Sequence, residues 1–586
     1  MKKRKITGFA SFALAACLLL SSCNGGSTAS SQAADSAPAS SASSDASSAA
    51  GTQADSEEKL IAATDPSKLP AAASGRKDTL VVGCADLSGI FNQLYASSAD
   101  DWHVSIPISG SQLLDNDDKG EMIPGTATYK VSDDGLTYTF TLKDGDKYSD
   151  GSPVKAEDYV NSVKVICDKS YDGPLSPLYN YNLVGAQDYH DGKAKDISGV
   201  KVDGNKIEFK LSAPNASAIY QLGTIIPIST AKYGSLIKQG DVNGIKNLSM
   251  INYVTNGSYT LTDYKAGQSA TMKANPNYYK GAPKIPTIIV KVVAEGEEMQ
   301  AVTTGNVDID DEVSCNDDQI AIGQQAGFVN MWVQPTLGYG WVGLNHKNDL
   351  FKDQKVRQAL LYALDRKSLV NSVYGQYAHV QNINQTAQSW LYTEDGINSY
   401  DYDLKKAASL LQEAGWTKDA NGNLTKDGKQ FKFTFSATKG NAVTDVMLPM
   451  MIDAYKQLGI NMQAEYVDWP TLQQKFEKQT YDMAFMAWGL TPDPDDSYVY
   501  CTGGSENYLA YSNPELDKAY KTALTLTDDN QRKAQYAKVY QIINNDLPNF
   551  IIYQRSDCVA FNTRIKNFAC APYNLIFNQY YKYELQ

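Results

Sequence analysis

Tyr148-Ser149-Asp150-Gly151-Ser152-Pro153-Val154-Lys155-Ala156-Glu157-Asp158-Tyr159 is the stretch from which the fold can be read outward. Asp150-Gly151 specifies a tight turn, because Gly enters the left-handed backbone region at no steric cost and Asp bonds neighbouring amides. The residues that follow predict a capped helix. The same stretch imitates part of a calcium loop, with Asp146, Asp150, Gly151 and Glu157 at positions 1, 5, 6 and 12. Tyr148 occupies a ligand position, so calcium is not expected there.

On either side, strands and helices are intermixed. Leu136, Tyr138, Phe140 and Leu142 alternate with polar residues after Asp134-Gly135, and residues 200–202 and 207–211 flank Asp203-Gly204. Both patterns predict antiparallel β structure. Residues 285–293 predict a further strand. Val356, Ala359, Leu360, Ala363 and Leu364 share one face of a helix predicted over 356–374, and Leu404, Ala407, Ala408 and Leu411 share one over 403–414. Asp403 can cap the latter and Gly415 can end it. Asn513-Pro514 puts a capping Asn before Pro at the first helical position, opening a helix through Leu526. The chain thus reads as mixed α/β, without the regular alternation of a barrel. Its length beyond residue 75 exceeds one ordinary core, so two or more lobes are expected.

The N-terminus carries an address. Lys2, Lys3, Arg4 and Lys5 precede an uncharged apolar run from residue 6 to 20, too short to span a bilayer. Leu20-Ser21-Ser22-Cys23 resembles a bacterial lipobox, which implies removal of residues 1–22 and diacylation of Cys23. Residues 24–75 are dominated by Ser, Ala, Gly, Gln and Asp. Such a composition predicts a disordered tether with a reach of about 40 Å. The folded part would then stay beside the outer face of the cell membrane.

Composition also excludes partners. The 586-residue chain has a formal net charge of -13, and four positive charges leave with the leader. Nucleic acid and anionic headgroups would both repel it. Of eight cysteines, Cys84, Cys167, Cys315, Cys501, Cys558 and Cys570 remain after Cys17 and Cys23. None shows metal-ligand spacing. Cys558 and Cys570 are close enough to flank a hairpin, and buried free thiols are the alternative.

The search for catalytic chemistry finds little. His103, His190, His346 and His379 form no HExxH-type pattern, and neither a GxSxG elbow nor a phosphate loop is present. Asp308-Ile309-Asp310-Asp311-Glu312 and Asp493-Pro494-Asp495-Asp496 are expected to be solvated loops or helix starts rather than metal or glycosidase carboxylates. The 38 tyrosines suit either a ligand surface or half-buried strands. No cofactor is expected, and the chain does not read as an enzyme.

Ordered local motifs point further. Residues 148–159 resemble the W-S-D-G-x-P-x-T-A-x-D-V signature of family 5 of the extracellular solute-binding proteins, the oligopeptide-binding type of ABC importers. Gly257-Ser258-Tyr259 and Asn275-Pro276-Asn277-Tyr278-Tyr279 are similar to G-P-Y … N-P-x-Y-W, with Ser258 in place of the usual Pro. Thr304-Gly305-Asn306-Val307-Asp308 resembles S-G-E-I-D. Asp353 with Val356-Arg357-Gln358-Ala359, and Ala363-Leu364-Asp365-Arg366, resemble D-x-x-V-R-Q-A … A-I-D-R. Trp488-Gly489, Asp493-Pro494-Asp495 and residues 511–517 fit the last third.

This resemblance implies an α/β, two-lobed periplasmic-binding-protein type II fold with a hinge and an extra domain on the first lobe. The expected divisions are 76–124, 216–334 and 553–586 for the first lobe, 125–215 for the additional domain and 335–552 for the second lobe. The chain would cross near residues 334–345 and return near 551–555. The resemblance further implies an oligopeptide ligand held in extended form between the lobes, ABC permease and ATPase subunits as partners, and a monomer. Ligand contacts are expected from Asp86, Tyr339, Trp341, Trp488, Gly489, Asp493, Asp495, Asn507 and Tyr508. Thr491 stands where oligopeptide binders commonly carry an amine-anchoring aspartate, so Asp493 is the expected replacement, with Asp495 or a ligand lacking a fixed amine as alternatives. An oligosaccharide, a metal chelate, a tethered hydrolase and an adhesion protein are the competing readings.

Overall fold

The computed structural model describes residues 58–586. The leader, Cys23 and the tether as far as residue 57 lie outside the described residues. The opening stretch folds as its chemistry dictates. Asp150 Oδ1 accepts from the Ser152 amide at 3.0 Å and its hydroxyl at 2.5 Å, and Gly151 takes φ 84°. The Ser152 hydroxyl, its amide and Lys232 hold the Asp150 carboxyl down to about 2. Helix Ala156–Cys167 follows, with Asp158 Oδ2 accepting from the Lys155 amide at 3.0 Å. Asp146, the first position of the imitated calcium loop, instead accepts from Asn256 Nδ2 at 2.8 Å.

The alternating stretches pair as read. Thr137–Leu142 buries every second residue and pairs antiparallel with Ala127–Val131 and Lys206–Lys210; Val200–Asp203 completes this four-stranded sheet. Its inner face packs on helix Ala156–Cys167 through Tyr138, Phe140, Ile207, Phe209, Tyr159 and Val163.

The main sheet is built around one strand, Asn549–Asn562, of 14 residues. Its first part pairs with Gly338–Leu344 and, through Tyr553 to Arg555, with Ala378–Val380. Its second part pairs with Ile309–Val313 and Val329–Pro335. On one side the path continues to Met483–Gly489, Lys432–Thr438 and Asn461–Val467, and on the other to Thr79–Cys84, Thr287–Val292, Ser269–Ala274 and Tyr259–Lys265. The changeover falls where Thr336 donates its amide to Arg555 O at 2.9 Å, between Pro335 and Gly338. Separate apolar clusters fill the two halves: one around Val342, Leu360, Phe433 and Tyr455, another around Val82, Tyr259, Ile288 and Phe561.

Helix ends follow their caps. Asp403 accepts from Lys405 and Lys406 amides ahead of Leu404–Glu413, and Asn513 accepts from Glu515 and Leu516 ahead of Pro514–Thr525. The helix expected over 356–374 is instead two, Gln354–Tyr362 and Arg366–Tyr374. Asp365 accepts from the Ser368 amide at 3.0 Å, so a capping residue restarts the helix inside an unbroken apolar pattern. The tether expectation also needs correction. Lys59–Ile61 pairs antiparallel with Val329–Pro335, and residues 66–68 and 71–74 are short helical turns. Leu60 is 50% exposed. This segment is held by backbone pairing to an edge and by a few apolar contacts, with Ala73 buried and Ile61 and Leu69 packed against the cluster around Val329 and Met331.

Cys558 and Cys570 do not meet across a hairpin. Cys558 packs with Val313, Met331 and Val333, while Cys570 packs in the other cluster with Phe561, Ile576 and Tyr583. All six cysteines of the described residues are free thiols.

Candidate functional site

Lys432–Thr438, Asn461–Val467 and Met483–Gly489 run parallel, and their carboxyl ends lie on one edge, where open α/β sheets place ligands. Met483–Gly489 pairs antiparallel with Gly338–Leu344, which sets Gly338 against Gly489 and Tyr339 against Trp488. The approach is close: a Cβ at Gly338 would meet Trp488 O at 2.3 Å, and one at Gly340 the Tyr553 ring at 2.3 Å. Trp341 stacks on Trp488 with centroids 5.7 Å apart and planes 9° apart, and Trp488 stacks on Tyr508 at 6.5 Å and 12°. The Nε1–H groups of both tryptophans are buried without a partner. Such a donor costs about 1–3 kcal/mol unless something satisfies it. Tyr339 is buried and its hydroxyl lies 3.2 Å from that of Tyr500.

The loop leaving Gly489 turns the acidic motif inward. Asp493 Oδ1 accepts from Ser217 Oγ at 3.0 Å and lies 3.6 Å from Arg532 Nη2. Arg532 comes from helix Asp529–Asp546, is 3% exposed, and sits over the rings of Tyr220 at 5.9 Å and Tyr536 at 5.7 Å. Its Nε is buried without a partner. Ser217 precedes helix Ala218–Gly223, and the adjacent Ala216 donates its amide to Leu524 O at 2.7 Å. One carboxylate thus bridges segments far apart in the chain. Burial raises the Asp493 pKa, and Arg532 offsets only part of that rise. Asp495 accepts from the Ser497 amide at 3.1 Å and is also raised by burial. Asp496 accepts from Tyr520 Oη at 2.5 Å and Asn384 Nδ2 at 2.6 Å, and burial pushes it up to about 7.

The remaining expected contacts are dispersed. Asn507 is a loop staple: its Nδ2 donates to Cys501 O and Tyr511 O, and its Oδ1 accepts from the Tyr511 amide. Asp86 is exposed, just past Thr79–Cys84, and three strands separate that strand from Met483–Gly489. Thr491 is exposed and donates to Asp493 O at 3.1 Å. The tryptophans, Tyr339, Gly489, Tyr508 and the acidic loop are therefore brought together, and Asp86 is not among them. Sequence reasoning missed Arg532, Ser217 and Asp496. Arg532, Tyr536 and Tyr540 recur at four-residue spacing on one helix face, the signal that could have found the first of them.

The other acidic run is also inward. Asp308 is fully buried and accepts from Arg76, Arg564 and Asn562 at 2.7, 2.8 and 2.8 Å and from the Val81 amide at 2.9 Å. Beside it, burial pushes Asp310 up to about 7, while Glu312 is raised by burial and by a hydrogen bond with Asp100. His103 lies 3.3 Å from Asp311; burial pulls its pKa down, but Asp311, Asp100 and Asp310 together hold it above the usual imidazole value. Among the described residues no group of acidic, His or Cys side chains is arranged to hold a metal ion, and no helix is long and apolar enough to cross a membrane.

Residues 121–509 match the profile of bacterial extracellular solute-binding proteins, family 5 Middle. The chain is 30% identical over 510 residues to the oligopeptide-binding protein AppA of Bacillus subtilis, covering 85% of this chain and 90% of that protein. The structure of Bacillus subtilis AppA in complex with a nonapeptide superimposes with a TM-score of 0.68 at 26% identity, covering 87% and 99% of the two chains. The ABC transporter substrate-binding protein CtaP of Listeria monocytogenes gives 0.74 at 23% identity, covering 87% and 99%, a likeness of fold.

Proposed function

The chain belongs to family 5 of the bacterial extracellular solute-binding proteins, with the type II periplasmic-binding-protein fold and no enzymatic role, and from that premise we propose that it captures oligopeptides between its lobes and delivers them to an ABC import permease. The observation that carries this reading is the 30% identity to an oligopeptide-binding protein along 85% of the chain. The ligand lies in extended form beside the Gly338 and Gly489 strand ends, where backbone bonds give affinity without demanding a sequence. Trp488 supplies an N–H donor, Tyr339, Trp341 and Tyr508 support its ring, and Asp493 and Asp495 give that end of the cleft its acidic groups. Cys23 is the diacylated anchor that keeps the receptor beside its permease, since two acyl chains are needed for stable residence.

Calorimetric titration with a peptide library, together with mass spectrometry of molecules released on denaturation, tests the ligand class. Peptides are expected in both; a released glycan or chelate with no peptide binding would overturn the reading. A free and an N-acetylated peptide separate the roles open to Asp493. Weaker binding of the acetylated form, lost in Asp493→Asn, makes it the amine anchor; equal affinity leaves it as a bridge between segments only. The mass of the N-terminal peptide from cells checks the anchor, and a Cys23 without acyl chains would remove it.

A further inference from the structure

Four of the six thiols have partners other than sulfur. Cys84 Sγ donates to Asp86 O at 3.4 Å and Lys291 O at 3.8 Å, Cys167 meets the amides of Leu178 and Tyr179, Cys501 bonds Asp517, and Cys570 bonds Gln334. Cys315 and Cys558 are different, because their thiols lie against each other in one apolar cluster. The backbone explains the meeting. Val313, last residue of Ile309–Val313, faces Cys558 across the antiparallel ladder, and Cys315 follows two residues later. Both side chains pack in one apolar cluster with Val313, Met331 and Val333. Cys558 is fully buried, whereas Cys315 is partly exposed.

Extracellular proteins work where disulfides persist. We propose that Cys315 and Cys558 form a reversible disulfide that pins the end of Ile309–Val313 to the strand shared by both halves of the sheet. The oxidant is a low-molecular-weight disulfide. The Cys315 thiolate attacks one of its sulfurs, forming a mixed disulfide and expelling one small thiolate. The Cys558 thiolate then attacks Cys315 Sγ and expels the second. Two protein thiols lose two electrons, one small disulfide becomes two thiols, and the two protons released from the cysteines end on those thiols. The contact with Cys558 and burial hold Cys315 far above the ordinary thiol range, so thiolate is scarce and the exchange is slow.

The test treats the purified full chain with cystine, denatures it, alkylates free thiols and maps them by mass spectrometry. A linked pair of peptides containing Cys315 and Cys558, lighter by two hydrogens, is expected, with complete loss of alkylation at both positions, full alkylation at Cys84, Cys167, Cys501 and Cys570, and reversal by dithiothreitol. Cys315→Ser should restore alkylation of Cys558. Full alkylation of both residues after prolonged oxidation of the unmutated chain, or linkage of Cys315 to any other cysteine, would overturn the assignment.

Discussion

The acidic runs at 308–312 and 493–496 are nearly interchangeable in composition, yet the fold treats them differently. Asp308 meets two arginines, an asparagine and a backbone amide, all of them from the same half of the sheet. Asp493 has one arginine at 3.6 Å, the Asp495 amide at 3.2 Å and a serine hydroxyl from a segment nearly 300 residues earlier, and its side chain remains 18% exposed. The first is a fully compensated buried charge that holds one lobe together. The second is a partly compensated charge at a junction between segments. Buried charge stabilises through the completeness of its partners.

Removing Asp308 should show the larger effect. Asp308→Ala leaves Arg564, 2% exposed, without its carboxylate, and about 3–5 kcal/mol of stability should be lost. Urea denaturation reads it, and a loss within the error of the method would end the contrast. Arg532→Met keeps most of the side-chain volume without the charge. About 1–3 kcal/mol is expected, because Asp493 can take up a proton instead of staying ionised. Solution scattering of that variant should also show a more open molecule; an unchanged radius of gyration would mean that Arg532 supports its own lobe alone.

Acidity probes both regions. Asp310 and Asp496 have folded pKa values raised to about 7 from 3.8. Between those values the folded chain holds protons that the unfolded chain has released. The stability contributed by these two groups is therefore greatest below pH about 4, falls as pH rises towards about 7, and is flat beyond, by up to about 1.4 kcal/mol per pH unit for each group. Asp310→Asn should flatten the slope owed to the first region and Asp496→Asn that owed to the second. A slope unmoved by either would place the titration elsewhere. Ser217→Ala removes one hydrogen bond to Asp493 and should cost about 1 kcal/mol; a thermal midpoint equal to that of the unmutated chain would show that Arg532 and the Asp495 amide hold the carboxylate without it.

Local chemistry was legible wherever a residue's partners lie within a few positions of it. The Asp150-Gly151 turn, the Asp403 and Asn513 caps and the alternating strand at 137–142 follow from such short-range rules. Asp365 shows their limit, since an unbroken apolar face concealed a cap that divides the helix. The acidic runs could not be read as buried because the arginines that compensate them are distant: Arg564 is more than 250 residues from Asp308. In the site, Trp488, Gly489 and Asp493 were recognisable from their motif, whereas Arg532 sits in a charged helix whose burial depends on Tyr220 of a remote segment. Cys558 and Cys570 are close in sequence, but the sheet separates them into different clusters.

The shared strand has a consequence for how the chain comes into being. Asn549–Asn562 lies between Gly338–Leu344 and Ile309–Val313, so the two halves of the main sheet cannot be joined through it before the end of the chain is available. Pairing across such sequence separations is slow, because loop-closure entropy is lost before the contacts form. A nascent polypeptide of this topology completes its main sheet only at the end of synthesis, whereas the four-stranded sheet of residues 127–210 has all its strands available early.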